Sequence, residues 1–149
     1  METALIRTLL NKDFHNNNKR VAKTELFQGE LQKIKVNLDE TIKEYDRDIT
    51  PSELEATFLS KYSYLTTAQR GVYRGLFKRI SEEQPLGDDL ASNVFKQLWR
   101  QSFAEKITNM AFEIHNGTET SLSPIKSLLD GHENDFLPTL KIKTDRKDL

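Results

Sequence analysis

The stretch from Asp88 to His115 constrains this chain more than any other. Its apolar positions are Leu90, Val94, Phe95, Leu98, Trp99, Phe103, Ile107, Met110, Ala111 and Ile114. They recur mostly at steps of three and four, the period of an α-helix. At 1.5 Å per residue such a helix is a rod of about 42 Å, longer than the core of one small domain requires. Part of it is therefore expected to project and to pack against something else. Phe103, Met110 and Phe112 also widen the apolar stripe beyond a single face, and a helix apolar on more than one side needs two partners. Asp88 suits the cap of its first turn and Asn116-Gly117 its end. Asn116-Gly117-Thr118 also fits a glycosylation sequon, but the helix-ending Asn-Gly is the better reading.

The remainder of the chain repeats this period. Ala4, Leu5, Thr8 and Leu9 have helical spacing near the N-terminus. Asn16-Asn17-Asn18 then offers side-chain bonds to the backbone, so residues 12–22 are expected to be mostly loop, with Phe14 tucked inward. After the Leu26-Phe27 pair and Gly29, the series Leu31, Ile34, Leu38, Ile42, Tyr45 marks one face of a helix ending near Asp46. Lys33, Lys35, Asp39, Glu40 and Lys43 fall on its other faces. Thr50-Pro51-Ser52-Glu53 carries a capping box with Pro at the first helical position, followed by Leu54, Phe58 and Leu59. Thr66 and Gln69 make a second box, opening a helix with Val72, Leu76, Phe77 and Ile80. Gly71 and Gly75 lie inside that helix. Each costs about 1 kcal/mol against Ala, which close approach of another helix would offset.

Pro85 and Gly87 mark a loop, and Ser123-Pro124 restarts a short helix with Ile125, Leu128 and Leu129. The short connection after Gly117 predicts an antiparallel helical hairpin. The expected organisation is all-α: a small helical globule over 1–87, a hairpin over 88–130 and a C-terminal linker over 131–149. No segment alternates with the period of a strand, and no internal repeat is present.

Composition narrows the function. With 22 basic and 23 acidic side chains the net charge is -1, without the basic surplus usual in proteins that grip nucleic acid. Lys19, Arg20, Arg70, Arg74 and Arg79 could touch phosphate, but direct nucleic-acid binding is expected to be weak or indirect. The chain has no cysteine, which excludes disulfides and thiolate chemistry. No apolar run approaches the ~20 residues of a membrane span, so no membrane association is expected. His15, His115 and His132 lie far apart, without partners at ligand spacing, and read as surface or helix-end residues. Neighbouring acids such as Glu53 and Glu55, or Asp88 and Asp89, suit capping better than catalysis. No phosphate-binding glycine loop occurs. The expectation is no catalytic, cofactor or metal site. Instead, Phe95, Trp99, Phe103, Met110, Ile114, Ile125 and Leu128 are the interface candidates, with Trp99 either a core residue or an anchor.

The order of elements resembles the N-terminal domain of DnaB-family hexameric replicative helicases, in particular the divergent type of tailed phages. The resemblance rests on Tyr45 followed by Ile49-Thr50-Pro51 and Leu54. It continues through Ala111-Phe112-Glu113-Ile114 and the returning Ile125-Lys126-Ser127-Leu128-Leu129-Asp130. It implies a non-catalytic collar in which hairpins of neighbouring subunits pair, giving a dimer-based or hexameric ring that docks primase and a helicase loader during DNA replication. It further implies an ATP- and magnesium-dependent motor beyond residue 149 and a place in the cytoplasm of a bacterial host. The alternative is a freestanding helical adaptor or loader-type protein of phage replication.

Overall fold

Helix α1 (Glu2–Leu9) has almost no solvent-facing side: Thr3, Ala4, Leu5, Ile6, Thr8 and Leu9 are all buried. A helix apolar nearly all round must be surrounded by other elements, and α2 (Lys12–Asn17), α3 (Glu30–Tyr45) and α5 (Thr67–Glu82) pack against it. A computed structural model describes residues 1–118 and 121–131. Among these are seven α-helices and one 3-10 turn, Thr24–Leu26, with no strand. The fold is all-α, as the period of the sequence predicts.

Residues 12–17 are helical rather than loop. The Asn11 side chain accepts a hydrogen bond from the Phe14 amide at 3.0 Å and caps α2, while Asn18 Nδ2 donates to the Phe14 carbonyl at 2.9 Å and closes it. The asparagines therefore bound a short helix instead of abolishing one. Gly29 then turns the chain at φ +56°, a conformation that side chains rarely adopt, and opens α3. Leu31, Ile34, Leu38 and Ile42 of α3 are buried, but Tyr45, at the last turn, is exposed.

Both capping boxes are present. Thr50 and Glu53 exchange bonds at the start of α4 (Pro51–Lys61), and Thr66 and Gln69 at the start of α5. The hydrogen bond from Arg47, followed by the bond from the Thr50 backbone, pulls the Glu53 carboxyl down to about 2. On α5 the inward positions are Tyr73, Phe77 and Ile80, and Val72 points outward. Tyr73 and Phe77 close on Phe58 of α4 at centroid distances of 4.6 and 5.3 Å. A second aromatic knot joins Phe95 to Phe14 and Phe27 at 6.3 and 6.2 Å.

The chain divides into two compact units, Met1–Trp99 and Arg100–Leu149. The boundary between these units lies inside helix α6 (Asp88–His115). The reason is packing: Ala91 and Phe95, one turn apart, belong to the core of the first unit. In the second unit α6 ends as expected. Gly117 takes φ +77°, the Thr118 amide donates to the Glu113 carbonyl, and the Gly117 amide donates to that of Ile114, a Schellman closure. Helix α7 (Ser123–Gly131) follows. Of the expected linker, residues 132–149 lie outside the described residues. No described helix is long and apolar enough to cross a membrane.

Gly71 and Gly75 do not admit a neighbouring helix. A Cβ built at either meets nothing within 4 Å. Both are exposed positions on a regular helix, so their cost is uncompensated. Gly71→Ala and Gly75→Ala are each expected to raise stability by about 0.5–1 kcal/mol. Urea denaturation followed by circular dichroism checks this; a loss of stability in both would restore the close-approach reading.

Candidate functional sites: a polar cluster and an apolar surface

Lys35 and Asp39 stand one turn apart on α3, a spacing at which an ammonium and a carboxylate meet. Lys35 Nζ donates to both Asp39 oxygens, at 2.8 and 2.7 Å. Helix α2 brings in His15, whose Nε2 lies 2.7 Å from Asp39 Oδ1. Lys35 is only 3% exposed and His15 is buried as well. Burial pushes the Asp39 carboxyl up. The His15 hydrogen bond and the Lys35 charge together outweigh this and hold it below the ordinary carboxylate range.

This corrects one sequence expectation: His15 is neither a surface residue nor without an acidic partner. The i,i+4 Lys–Asp pair was the legible signal; the His15 contact, 24 residues away in sequence, had none. A general base needs a ring nitrogen open to substrate. In His15 one nitrogen is engaged by Asp39, and the other, Nδ1, is buried without a hydrogen-bond partner. The cluster thus acts as a fixed polar framework.

Around it opens a cleft of about 410 Å³, lined by Asn16, Lys19, Ala22, Lys23, Thr24, Ile42 and Lys43 together with the three clustered residues. Lys23 Nζ sits 5.6 Å over the Trp99 ring, a cation–π contact. Trp99 is 2% exposed, which is the core reading of that residue rather than the anchor reading.

The other interface candidates separate along the chain. Phe95 is wholly buried between Phe14 and Phe27, and Phe103 is buried too, so neither offers a free face. Met110, Ile114, Ile125 and Leu128 are half-buried. Three residues outside the candidate set are more exposed: Phe112 at 63%, Leu122 at 70% and Leu129 at 50%. Among the described residues of the second unit, only Phe103 is buried.

Of the basic residues singled out from sequence, Arg70 donates to the Ser63 carbonyl at 2.9 Å, while Arg74, Lys78 and Arg79 are exposed. His115 is exposed at the last turn of α6, and His132 lies outside the described residues. No group of three potential metal ligands occurs among the described residues. No family model, curated protein or solved structure matches the chain.

The buried cluster makes a stability prediction. Asp39→Asn leaves the Lys35 ammonium buried without its counter-charge and should cost about 2–4 kcal/mol, with Lys35→Met in the same chain recovering part of the loss. Because the folded Asp39 carboxyl lies below its unfolded value, its contribution is present above that unfolded value, near 3.8, and fades as pH falls through the folded one. Denaturant midpoints of the three proteins at neutral pH check the first statement. An Asp39→Asn protein as stable as the wild type would remove the cluster from the account.

Proposed function

We propose that this chain is a non-catalytic helical association domain, working as the collar of a hexameric replicative helicase of the DnaB family. In this reading α7 returns along the end of α6 as a hairpin, and hairpins of two copies pack on one another. The collar then presents primase and the helicase loader with a platform, in the cytoplasm of a bacterial host. ATP and magnesium belong to a motor following this domain.

One observation carries the reading: among the described residues of the second unit, large apolar side chains stay exposed. α7 places Ile125, Leu128 and Leu129 along one side, and none of its residues is buried. A helix of nine residues is marginal in water without tertiary packing of its apolar side. Phe112 and Leu122 add to the same surplus. A second copy is the fitting occupant because a pair of helices offering one apolar side is self-complementary about a two-fold axis, forming a four-helix contact. A freestanding adaptor or loader would use the same side chains on a different protein, so oligomeric state separates the two.

Phe112 and Leu129 are the residues to change, since replacing Trp99 or Phe103 would disturb buried positions instead. The wild-type chain should sediment above monomer mass. Phe112→Asp with Leu129→Asp should leave helicity intact and weaken association at least ~30-fold, the loss expected of a hot-spot anchor. A mass equal to the monomer for the wild type, or unchanged assembly in the double variant, would end the collar reading.

A further inference from the structure

The cleft beside the His15–Asp39–Lys35 cluster is not used by the association reading and lies wholly within the first unit. Four lysines and one aspartate line it, on a chain whose net charge is -1. Asp39 accepts from both Lys35 and His15, and its single negative charge is set against the buried Lys35 ammonium, which leaves the other three lysines in excess. Lys19 and Lys43 are exposed, and neither has a carboxylate within ion-pair distance among the described residues. Lys23 lies over an aromatic face, which leaves its N–H groups open to an acceptor.

We infer that this cleft binds a phosphate group carried by a small ester or by a nucleic-acid strand. Lys19, Lys23 and Lys43, with Thr24 and Asn16, are among the residues that line one concavity. A ligand that answers them needs several acceptor oxygens and more than a single negative charge. A phosphoryl group supplies both, whereas a lone carboxylate supplies neither the third oxygen nor the second charge. The apolar walls at Ala22 and Ile42 suit the organic part of an ester, and about 410 Å³ falls in the range of small-ligand pockets. Concave walls of low dielectric also focus the field of like charges, which raises the local concentration of an anion above that near a flat lysine patch. The buried cluster joins α2 to α3, so the segments that carry these lysines are held together before any ligand arrives.

The test titrates the whole chain with inorganic phosphate, with adenosine monophosphate and with a single-stranded oligodeoxynucleotide at low salt. The His15 ring signals in NMR and the emission of Trp99, which lies under Lys23, report occupancy. Binding of at least one probe is expected, with Lys19→Glu plus Lys43→Glu weakening it at least tenfold while helicity is kept. Arg74→Glu plus Lys78→Glu, on the exposed side of α5, should change it less than twofold. If the ligand is a strand, affinity falls steeply with salt, and losing both lysines lowers the salt slope by about two. If it is a small ester, the monophosphate binds with a shallow salt dependence. Absence of binding by all three probes overturns the inference, and so does equal weakening by the α5 pair, which would mean general electrostatic attraction. Neither result touches the association reading, because none of these side chains lies in the second unit.

Discussion

Burial of α1 is the constraint on which the first unit depends. Eight residues make too short a helix to persist alone, and six of these are buried. Enclosing them also encloses polar groups that must find partners. The Ile49 amide donates to the Leu10 carbonyl at 3.0 Å, and the Leu86 amide donates to Thr8 Oγ1 at 2.9 Å. That hydroxyl donates in turn to the Ala4 carbonyl, and Thr3 Oγ1 donates to Glu83. The approach to α4 is thereby tied to the C-terminal cap of α1, and the exit from α5 to both of its ends. Once those loops are fixed, the directions of α4, α5 and the first turns of α6 follow.

The polar cluster is a consequence of this arrangement. Helix α2 leaves α1 after a two-residue turn and is tied to the end of α3 by Lys12, whose amide donates to Asp48 Oδ1 and whose Nζ meets Asp46 at 3.1 Å. With α2 held against α3, His15 has no solvent to face and meets Asp39 instead. A buried ion pair of this kind repays its desolvation only when its hydrogen bonds are complete. Asp39 accepts three bonds, two from Lys35 and one from His15, while His15 Nδ1 is left without a partner. Positive charge not consumed there is left on the cleft walls.

What was legible in the sequence was local. Caps depend on three or four consecutive residues, so Thr50–Glu53, Thr66–Gln69 and the Asn116-Gly117 end of α6 could be read directly. Which face of a helix turns inward is a tertiary question, and there the reading slipped. On α5 the choice fell on Val72 where the buried residue is Tyr73, because a tyrosine can bury its ring against Phe58 and still carry a polar tip. On α3 the burial of Lys35, opposite the apolar series, becomes possible because a carboxylate stands one turn away. The glycines of α5 suggested a contact that does not exist, since conformational freedom in a residue does not imply use of it. The all-α class survived these slips because it rests on period alone, which every helix shares.

The same distinction refines where the surplus apolar surface lies. Along α6 the line Ala91, Phe95, Trp99, Phe103 is buried, and its continuation through Ile107, Met110 and Ile114 is only half covered. The sequence pattern is continuous over both parts, so a reading by period assigns them one role. Burial divides them: Ala91 and Phe95 belong to the core of the first unit, and the uncovered share begins after Phe103. The apolar stripe continues at helical spacing for three turns past the last buried residue, and the exposed Phe112, Leu122 and Leu129 fall in the same part of the sequence. The proposed association therefore draws on the last turns of α6 and on α7, rather than on the whole helix.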